Sequence, residues 1–478
     1  MENTEEKSDA AVLVAVQLPG VSDEEHQSSI EELSRLVETL GHPVVGVVSQ
    51  RRSHLGASAV LGGGKLAELA RWTGGSGVVP SGAKKKVRKI DAKDASKDEG
   101  DGDAAEPLDD AADAGEALLD DEDLVADGDG AEPTGSAGIV VVDHELGPSQ
   151  ARNLERATDA QVLDRTAVIV EIFHRHAKSR EARLQVEIAR LNYLAPRLRE
   201  TGGADRQRGG IGGKGAGESA VELDRRRIRD RIAELRRELD GLSREGDVRR
   251  ARRQDQLRVA LVGYTNAGKS SLMRALTGSE VYVADKLFAT LDTTVRALVP
   301  ESRPRVLVSD TVGFIKKLPH DLVASFRSTL DEAREATLLL HVVDGSDAAW
   351  RAQYAVTRQV LSEIDAGDLP SLLVLNKRDR LDEAAREDLA VEEPDAVQVS
   401  ALDPVSVRAL RDRILTELER GMVDGELRVP YARGGVSAEI HRDCRVLDES
   451  WDEFGAQYRV RALPGTLARL RSLLEPSP

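Results

Sequence analysis

The sequence predicts an α/β protein in four parts: an N-terminal α/β domain, an antiparallel helical hairpin, a larger domain with a mostly parallel sheet and helices on both faces, and a small α+β C-terminal appendage. Three observations lead there. Apolar runs of strand length alternate with helix-like stretches, as at Ala11 to Gln17 followed by Ser28 to Leu40. Leucine and isoleucine recur at helical spacing in two stretches, 184–198 and 228–242. The apolar run Val259-Ala260-Leu261-Val262 enters a glycine loop and then the helix-like SSLMRALTG, the strand, loop, helix order of an open α/β sheet. A length of 478 residues suits about three domains with substantial cores.

The N-terminal domain is expected over 1–172, with strands at Ala11 to Gln17, Val44 to Val48 and Gly138 to Val142 and a helix from Ser28 to Leu40 ending at Gly41. An insert at about 81–137 interrupts it. The formal net charge of −17 sits almost wholly there: 91–132 hold 18 Asp or Glu against Lys93 and Lys97, leaving the rest of the chain near −1. Rich in Ala, Asp and Gly and without apolar period, the insert cannot bury enough surface to offset its ordering entropy, and it reads as disordered. The preceding run Lys84-Lys85-Lys86-Val87-Arg88-Lys89 reads as a solvated tail. Gly62-Gly63-Gly64-Lys65 invites a phosphate-loop reading that fails, because Ala59 stands where the first glycine is needed and Leu66 replaces the hydroxyl residue. A tight turn before a helix from Leu66 to Trp72 is the expectation.

The hairpin is expected over 173–254, a basic stretch in which 175–253 carry 22 Lys or Arg. Leu184, Ile188, Leu191 and Leu198 form one seam; Ile228, Ile232, Leu235, Leu239 and Leu242 form another at 4-3-4-3 spacing. The connection, 201–217, is glycine-rich and carries Arg206, Arg208 and Lys214, cations suited to phosphates on a tip that inserts among nucleic-acid backbones. A flexible linker with ordinary solvated charges is the competing reading.

The third part, 255–420, carries the chemistry. Gly263-Tyr264-Thr265-Asn266-Ala267-Gly268-Lys269-Ser270 matches the phosphate-binding loop, in which glycines let backbone N–H groups close on phosphate oxygens. Lys269 would reach the β- and γ-phosphates and the Ser270 hydroxyl a bound Mg²⁺. Asn376-Lys377-Arg378-Asp379 follows the strand-like Leu372 to Leu375, and the Asp379 carboxylate can accept from both guanine N1–H and the 2-amino group. Adenine offers neither donor, and each buried polar group left unpaired costs about 1–3 kcal/mol, so the pattern selects guanine. Ser400-Ala401-Leu402, after a short strand at Ala396 to Val399, supports it. Asp310-Thr311-Val312-Gly313 ends another strand-like run, with Asp310 placed to hold Mg²⁺ through water and the Gly313 N–H to sense the γ-phosphate. Phe288-Ala289-Thr290-Leu291-Asp292 lies between, with Thr290 the choice for the switch threonine on Mg²⁺ and Thr293 and Thr294 its rivals. Together these motifs define a P-loop GTPase domain.

Catalysis reads as unusual. Many GTPases place a glutamine after the DxxG motif to orient water; Phe314 stands there and has no hydrogen-bonding group, so slow intrinsic turnover is expected. In related GTPases an asparagine at the position of Asn266 helps hold a K⁺ ion as a charge clamp. Either that role or simple support of the turn fits Asn266. The catalytic candidates are therefore Lys269, Asn266, Thr290 and Gly313, with Mg²⁺ as cofactor and K⁺ as a second candidate.

The appendage, 421–478, has strand-like runs at Leu427 to Tyr431 and Tyr458 to Leu463 around a helix-like middle and shows no chemistry. Cys444 reads as a buried small residue, since one nearby His441 makes no triad. That single cysteine argues for a reducing compartment without disulfides. With no run of 18 apolar residues and no basic and apolar leader, a cytoplasmic monomer without a membrane span is expected. Aromatics at 3% are too few for a base-stacking surface of the usual kind.

Outside the insert, the chain resembles the HflX GTPases over nearly its whole length. The resemblance rests on GYTNAGKSSL, LFATLD, DTVGFIKKLPHDLVASFRSTLDE, LLLHVVD and NKRD, with VLDRTAVIVEIFHRHAKSREARLQVEIARLNYLAPRLR and GGIGGKGAGESAVELDRRRI ahead of them. It implies GTP and GDP binding by Gly263 to Ser270, Phe288 to Asp292, Asp310 to Gly313, Asn376 to Asp379 and Ser400 to Leu402, with Mg²⁺ on Ser270 and Thr290. It also implies a factor that enters the large ribosomal subunit, contacts its rRNA near the peptidyl-transferase centre and helps split stalled ribosomes. An assembly or regulatory RNA-binding GTPase switch without splitting activity is the alternative. Two departures stand out: Gly213-Lys214-Gly215-Ala216-Gly217-Glu218 lacks the arginine and proline of the family's usual GTRGPGETQLE, and the acidic insert is not a family feature.

Overall fold

The computed structural model describes residues 8–56, 58–79, 137–198, 220–251, 256–279, 287–288, 293–317 and 327–474. The acidic insert, the tip residues Arg206, Arg208 and Lys214, and Ala289, Thr290, Leu291 and Asp292 lie outside them. Two compact units are resolved, one of residues 1–34 and 42–165, the other of residues 35–41 and 166–478.

The first unit is built on a four-stranded parallel sheet in the order β2-β1-β3-β4: β1 Ser8–Gln17, β2 Val44–Arg51, β3 Ala137–Val142 and β4 Gln161–Asp164. β1 is buried along its last eight residues and β3 along all six, the continuous apolar pattern of strands covered on both faces. Helix α1 runs Asp23–Thr39, five residues longer at its start than the apolar spacing suggests, because its first turn is the acidic Asp23-Glu24-Glu25. Helix α2, Gly63–Thr73, begins within the triple glycine, with Gly62 as its N-cap, and the Gly62 N–H donates to Gln50 Oε1 at 2.8 Å. Lys65 pairs with Glu68 at 2.8 Å, so this loop is a helix entry with its cation occupied locally. Helix α3 spans Pro148–Thr158, and helix α4, Arg165–His176, starts at a buried ion cluster. There Arg165 meets Glu32 and donates to Asp143 Oδ1 at 2.8 Å, while Ser29 Oγ donates to Asp143 Oδ2 at 2.7 Å.

In the second unit, α5 (Arg180–Leu194) and α6 (Ala220–Ala251) form a hairpin. Leu184, Ile188, Ile232 and Leu235 are its buried seam, with Leu191, Ile228, Leu239 and Leu242 partly covered beside them. Arg180 pairs with Glu238 and Arg231 with Glu187, so rising numbers on one helix meet falling numbers on the other, and the pair is antiparallel. The ion pairs are exposed and contribute about 0–1 kcal/mol each, whereas each fully buried Leu or Ile contributes about 1.5–3 kcal/mol, so the seam holds the hairpin. Leu198 is not in that seam. Pro196 ends α5 in a short 3₁₀ turn, Ala195–Arg197, and Leu198 follows it in extended conformation.

A six-stranded sheet follows, ordered β10-β9-β8-β5-β7-β6: β5 Leu257–Val262, β6 Thr294–Ala297, β7 Val306–Asp310, β8 Leu338–Asp344, β9 Ser371–Asn376 and β10 Val397–Gln398. All pairings are parallel except the edge strand β6 against β7. Alternate side chains of β5 enter different cores: Leu257, Val259 and Leu261 join Leu272, Leu276 and Leu410, while Ala260 and Val262 join Leu330 and Leu361. That division is why helices cover both faces.

The appendage is a three-stranded antiparallel sheet, β11-β13-β12, with β11 Val423–Pro430, β12 Arg445–Asp452 and β13 Gly455–Ala462. Its middle is only partly helical. A helix from Gly435–Asp443 gives way to β12, whose polar run of residues takes its strand conformation from pairing with β13. Cys444 is buried, and burial pushes its thiol up to about 11, as suits a packed small residue. Among the described residues no helix is long and apolar enough to cross a membrane.

Candidate nucleotide site

The site is assembled at the carboxyl edge of the six-stranded sheet. β5 ends at Val262, the loop turns through Gly263 to Gly268, and helix α7, Lys269–Thr277, begins at once. Two glycines are required by contact. A Cβ on Gly263 would lie 2.1 Å from the Val342 carbonyl oxygen, and one on Gly268 would lie 2.2 Å from Asn376 Nδ2. The second contact matters because Asn376, 1% exposed, donates from that nitrogen to the Ala267 carbonyl at 2.9 Å. The phosphate loop and the strand that carries the base-selecting motif are thus tied directly.

Lys269 is buried, and its Nζ donates to the carbonyls of Gly263 at 3.0 Å and Tyr264 at 2.7 Å. Burial pushes its ammonium down to about 8, with Asp310 opposing the shift. Within the loop's curl, this cation is poised for a phosphate that would supply the missing negative charge. Ser270 Oγ donates to Asp310 Oδ2 at 2.7 Å, and Asp310 is fully buried. A hydroxyl and a carboxylate so close are hard oxygen donors of the kind Mg²⁺ takes, so the residues present fit that ion.

The segment after β7 is fastened to the loop. Thr311 Oγ1 donates to the Leu261 carbonyl at 2.7 Å. The Thr265 N–H donates to the Phe314 carbonyl at 2.8 Å, and the Phe314 N–H to the Gly263 carbonyl at 3.1 Å. Tyr264 adds its side chain: the Lys316 N–H donates to its hydroxyl at 2.6 Å. Between them, a Cβ on Gly313 would be 3.1 Å from Lys269 Nζ, so the backbone at Gly313 approaches the cation closely. Phe314 does more than lack a polar group. Phe314 is 2% exposed and packs in the apolar core with Ala260, Val262 and Leu330.

At the other end, Asp379 is exposed and accepts from Ser400 Oγ at 2.5 Å. Ser400 Oγ also accepts the Leu402 N–H at 3.3 Å, and Asn376 Oδ1 accepts the Ala401 N–H at 3.3 Å. The Arg378 N–H donates to the Val399 carbonyl at 3.1 Å. Residues 263–270, 310–313, 376–379 and 400–402 therefore stand together along one sheet edge. Phe288 is brought in differently: its N–H donates to Thr265 Oγ1 at 3.0 Å, and its ring is buried against Phe173. Thr294, a rival switch threonine, is the first residue of β6 opposite Asp310. Reading the motifs alone missed Asp344, whose carboxylate pairs with Lys377; a strand ending in Asp beside β9 is the signal that pointed to it.

Three family models match the chain: the GTP-binding GTPase N-terminal region at residues 130–174, the GTP-binding GTPase middle region at residues 176–253 and the 50S ribosome-binding GTPase at residues 258–377. The protein named GTPase HflX of Gluconacetobacter diazotrophicus is 58% identical over 468 residues, covering 97% of each chain. That of Caldanaerobacter subterraneus subsp. tengcongensis is 34% identical over 99% of this chain and 96% of its own. Among solved structures, a GTP-binding protein from the hyperthermophilic archaeon Sulfolobus solfataricus in complex with GDP is 21% identical, covering 86% of this chain and 99% of that one, with a TM-score of 0.41.

Proposed function

Because the chain belongs to the HflX family of GTPases, we propose that it binds the large ribosomal subunit in its GTP state and splits stalled ribosomes. GTP hydrolysis is the family's reaction and this chain's enzyme activity. The observation that carries the guanine-nucleotide reading is the bond from Asn376 Nδ2 to the Ala267 carbonyl at 2.9 Å, which sets the base motif and the phosphate loop at one spacing.

In this reading the N–H groups of 264–269 and the Lys269 ammonium hold the phosphates, and Asp379, steadied by Ser400, accepts from the base. Mg²⁺ would be held by Ser270 and Thr290, with Asp310 through water, and would neutralise charge on the β- and γ-phosphate oxygens. Gly313 senses the γ-phosphate through its N–H. With Phe314 buried, the chain positions no side chain of its own at that residue for the attacking water, so hydrolysis is slow until the ribosome adds what is missing. The antiparallel hairpin, with its cationic tip candidates Arg206, Arg208 and Lys214, is the arm that meets rRNA. GTP orders the switch segments and favours the arrangement that binds; hydrolysis permits release.

Light scattering of intact ribosomes mixed with the protein and GTP tests the proposal. A fall in scattering with GTP, absent in Lys269→Ala, is expected; subunit binding without any fall would instead identify an assembly or regulatory switch. Full splitting by Lys269→Ala would refute the scheme.

A further inference from the structure

Lys377 is held in a backbone conformation that side chains seldom adopt. Its φ is +61°, in the left-handed region, at the entry to the short 3₁₀ turn Arg378–Arg380. Its ammonium lies 2.7 Å from Asp344 Oδ2, and the two side chains are only 17% and 13% exposed. Asp344 is itself fastened. Its other oxygen, Oδ1, accepts the Ser346 N–H at 3.0 Å and the Ser346 hydroxyl at 2.6 Å. The Gly345 N–H donates to the Asn376 carbonyl at 2.9 Å, and the β8–β9 register sets Asp344 opposite Asn376. So the end of β8 supports the start of the base-selecting loop at both backbone and side chain.

We propose that Asp344 is a positioning residue of the guanine pocket, which holds Lys377 by its ammonium so that the four-carbon stem forms a set wall for the base. This rests on the reading of 376–379 as the base site. The geometry favours it for a physical reason. Lys377 has a flexible stem with several rotatable bonds, and a wall built from it helps binding only if its rotamers are restricted before the nucleotide arrives. Asp344 supplies that restriction, and Ser346 supplies it to Asp344. Asp344 acts on the wall and not on the edge of the base, because the edge is met by Asp379. Its removal therefore weakens guanine and hypoxanthine nucleotides alike, whereas loss of Asp379 alters the preference between them.

The test uses the full chain and equilibrium binding of GDP, IDP and ADP. The unaltered protein must favour GDP over ADP; equal binding would remove the base-site reading itself. Given that preference, Asp344→Asn is expected to bind GDP about ten- to a hundredfold more weakly, the loss expected for a hydrogen bond to a charged group, with an unchanged GDP to IDP ratio. Lys377→Met keeps a stem without the charge and is expected to show the same loss, and the double variant no more than either single one. GDP affinity of Asp344→Asn within twofold of the unaltered protein, or additive losses in the double variant, would overturn the proposal and leave the base site standing. Should Asp344→Asn lose its cooperative melting transition, Lys377→Met decides alone: near-normal GDP affinity overturns the proposal, and a loss with the ratio unchanged supports it.

Discussion

Phe173 and Phe288 meet edge to face, with ring centroids 4.6 Å apart and 77° between their planes. Phe173 lies on α4, which leads within a few residues into the hairpin helix α5, and Phe288 opens the segment that carries Thr290. The Phe288 backbone is left-handed, at φ +56°, and its N–H is bound by Thr265 of the phosphate loop. A short chain of contacts thus runs from the phosphate loop to the helix that precedes the hairpin.

The contact should be measurable as a coupling. Phe173→Leu and Phe288→Leu each remove a buried ring, and the edge-to-face pair contributes about 0.5–1.5 kcal/mol beyond area burial. A double-mutant cycle on thermal stability is expected to return that coupling. If the contact also transmits nucleotide state, Phe173→Leu narrows the difference between GTP-bound and GDP-bound affinity for large subunits. An unchanged difference would confine the pair to packing.

Lys269 gives the binding reaction a pH dependence whose sign is set by its burial. Its ammonium is pushed down to about 8 in the free protein from an ordinary 10.5, and nearby phosphate raises it again. Below pH 8 the free protein already carries the cation, so affinity for GDP is level. Above pH 8 it loses a proton that the bound form keeps, so affinity falls by up to about tenfold per unit and binding takes up a proton. Stability of the free protein runs the other way, rising across the window from 8 to 10.5, where the unfolded chain holds more protons. Calorimetry in buffers of different ionisation enthalpy reads the uptake. Persistence of that uptake in Lys269→Met would assign it to another group.

Much of this site was legible because its parts are local. Gly263 to Ser270 and Asn376 to Asp379 are contiguous, each follows an apolar strand, and their chemistry depends on neighbours in sequence. What was hidden depends on pairing. Thr294–Ala297 has no apolar run and is a strand because Asp310, Ser309, Val308 and Leu307 run beside it. Arg445–Asp452 looks polar and helix-like until β13 is set next to it, with a register shift between Val446 and Asp448. Leu198 fits a helical spacing that Pro196 cuts short. Asp344 and Lys377 are far apart in the chain, and only the β8–β9 register brings them together. Phe314 was visible as a missing glutamine; that its ring faces the core required the second apolar cluster.

Two glycines of positive φ, Gly263 at the start of the phosphate loop and Gly278 at the end of α7, should respond to alanine very differently. At Gly263, φ +150°, a Cβ would sit 2.1 Å from the carbonyl oxygen of Val342, a residue of β8 fixed in register opposite Val374 of β9. Gly278, φ +62°, has nothing within 4 Å of the same atom. Gly278→Ala is expected to cost only the left-handed backbone penalty of about 1–2 kcal/mol. Gly263→Ala combines strain with a backbone clash and is expected to cost about 3 kcal/mol or more, together with nucleotide binding. Melting curves with and without GDP compare them; equal losses would mean that the Val342 contact relaxes.

The asparagine of the phosphate loop allows backbone and side-chain effects to be separated. Asn266 is left-handed, at φ +61°, and partly exposed, so it combines a conformation asparagine tolerates with a carboxamide free to face solvent or an ion. If that carboxamide helps hold K⁺ beside the phosphates, hydrolysis should run faster in K⁺ than in Na⁺, by about tenfold or more for one well-placed positive charge in the transition state. Asn266→Ala removes the group but also strains the turn, so slower hydrolysis in that variant has two explanations. Asn266→Gly removes the same group and relaxes the turn, because glycine enters this region without penalty. Loss of the K⁺ advantage in both variants, with GDP affinity kept in the glycine one, assigns the effect to the side chain. A K⁺ advantage that survives in Asn266→Gly would assign Asn266 to the turn alone, and the ion, if it acts, to other oxygens of the site.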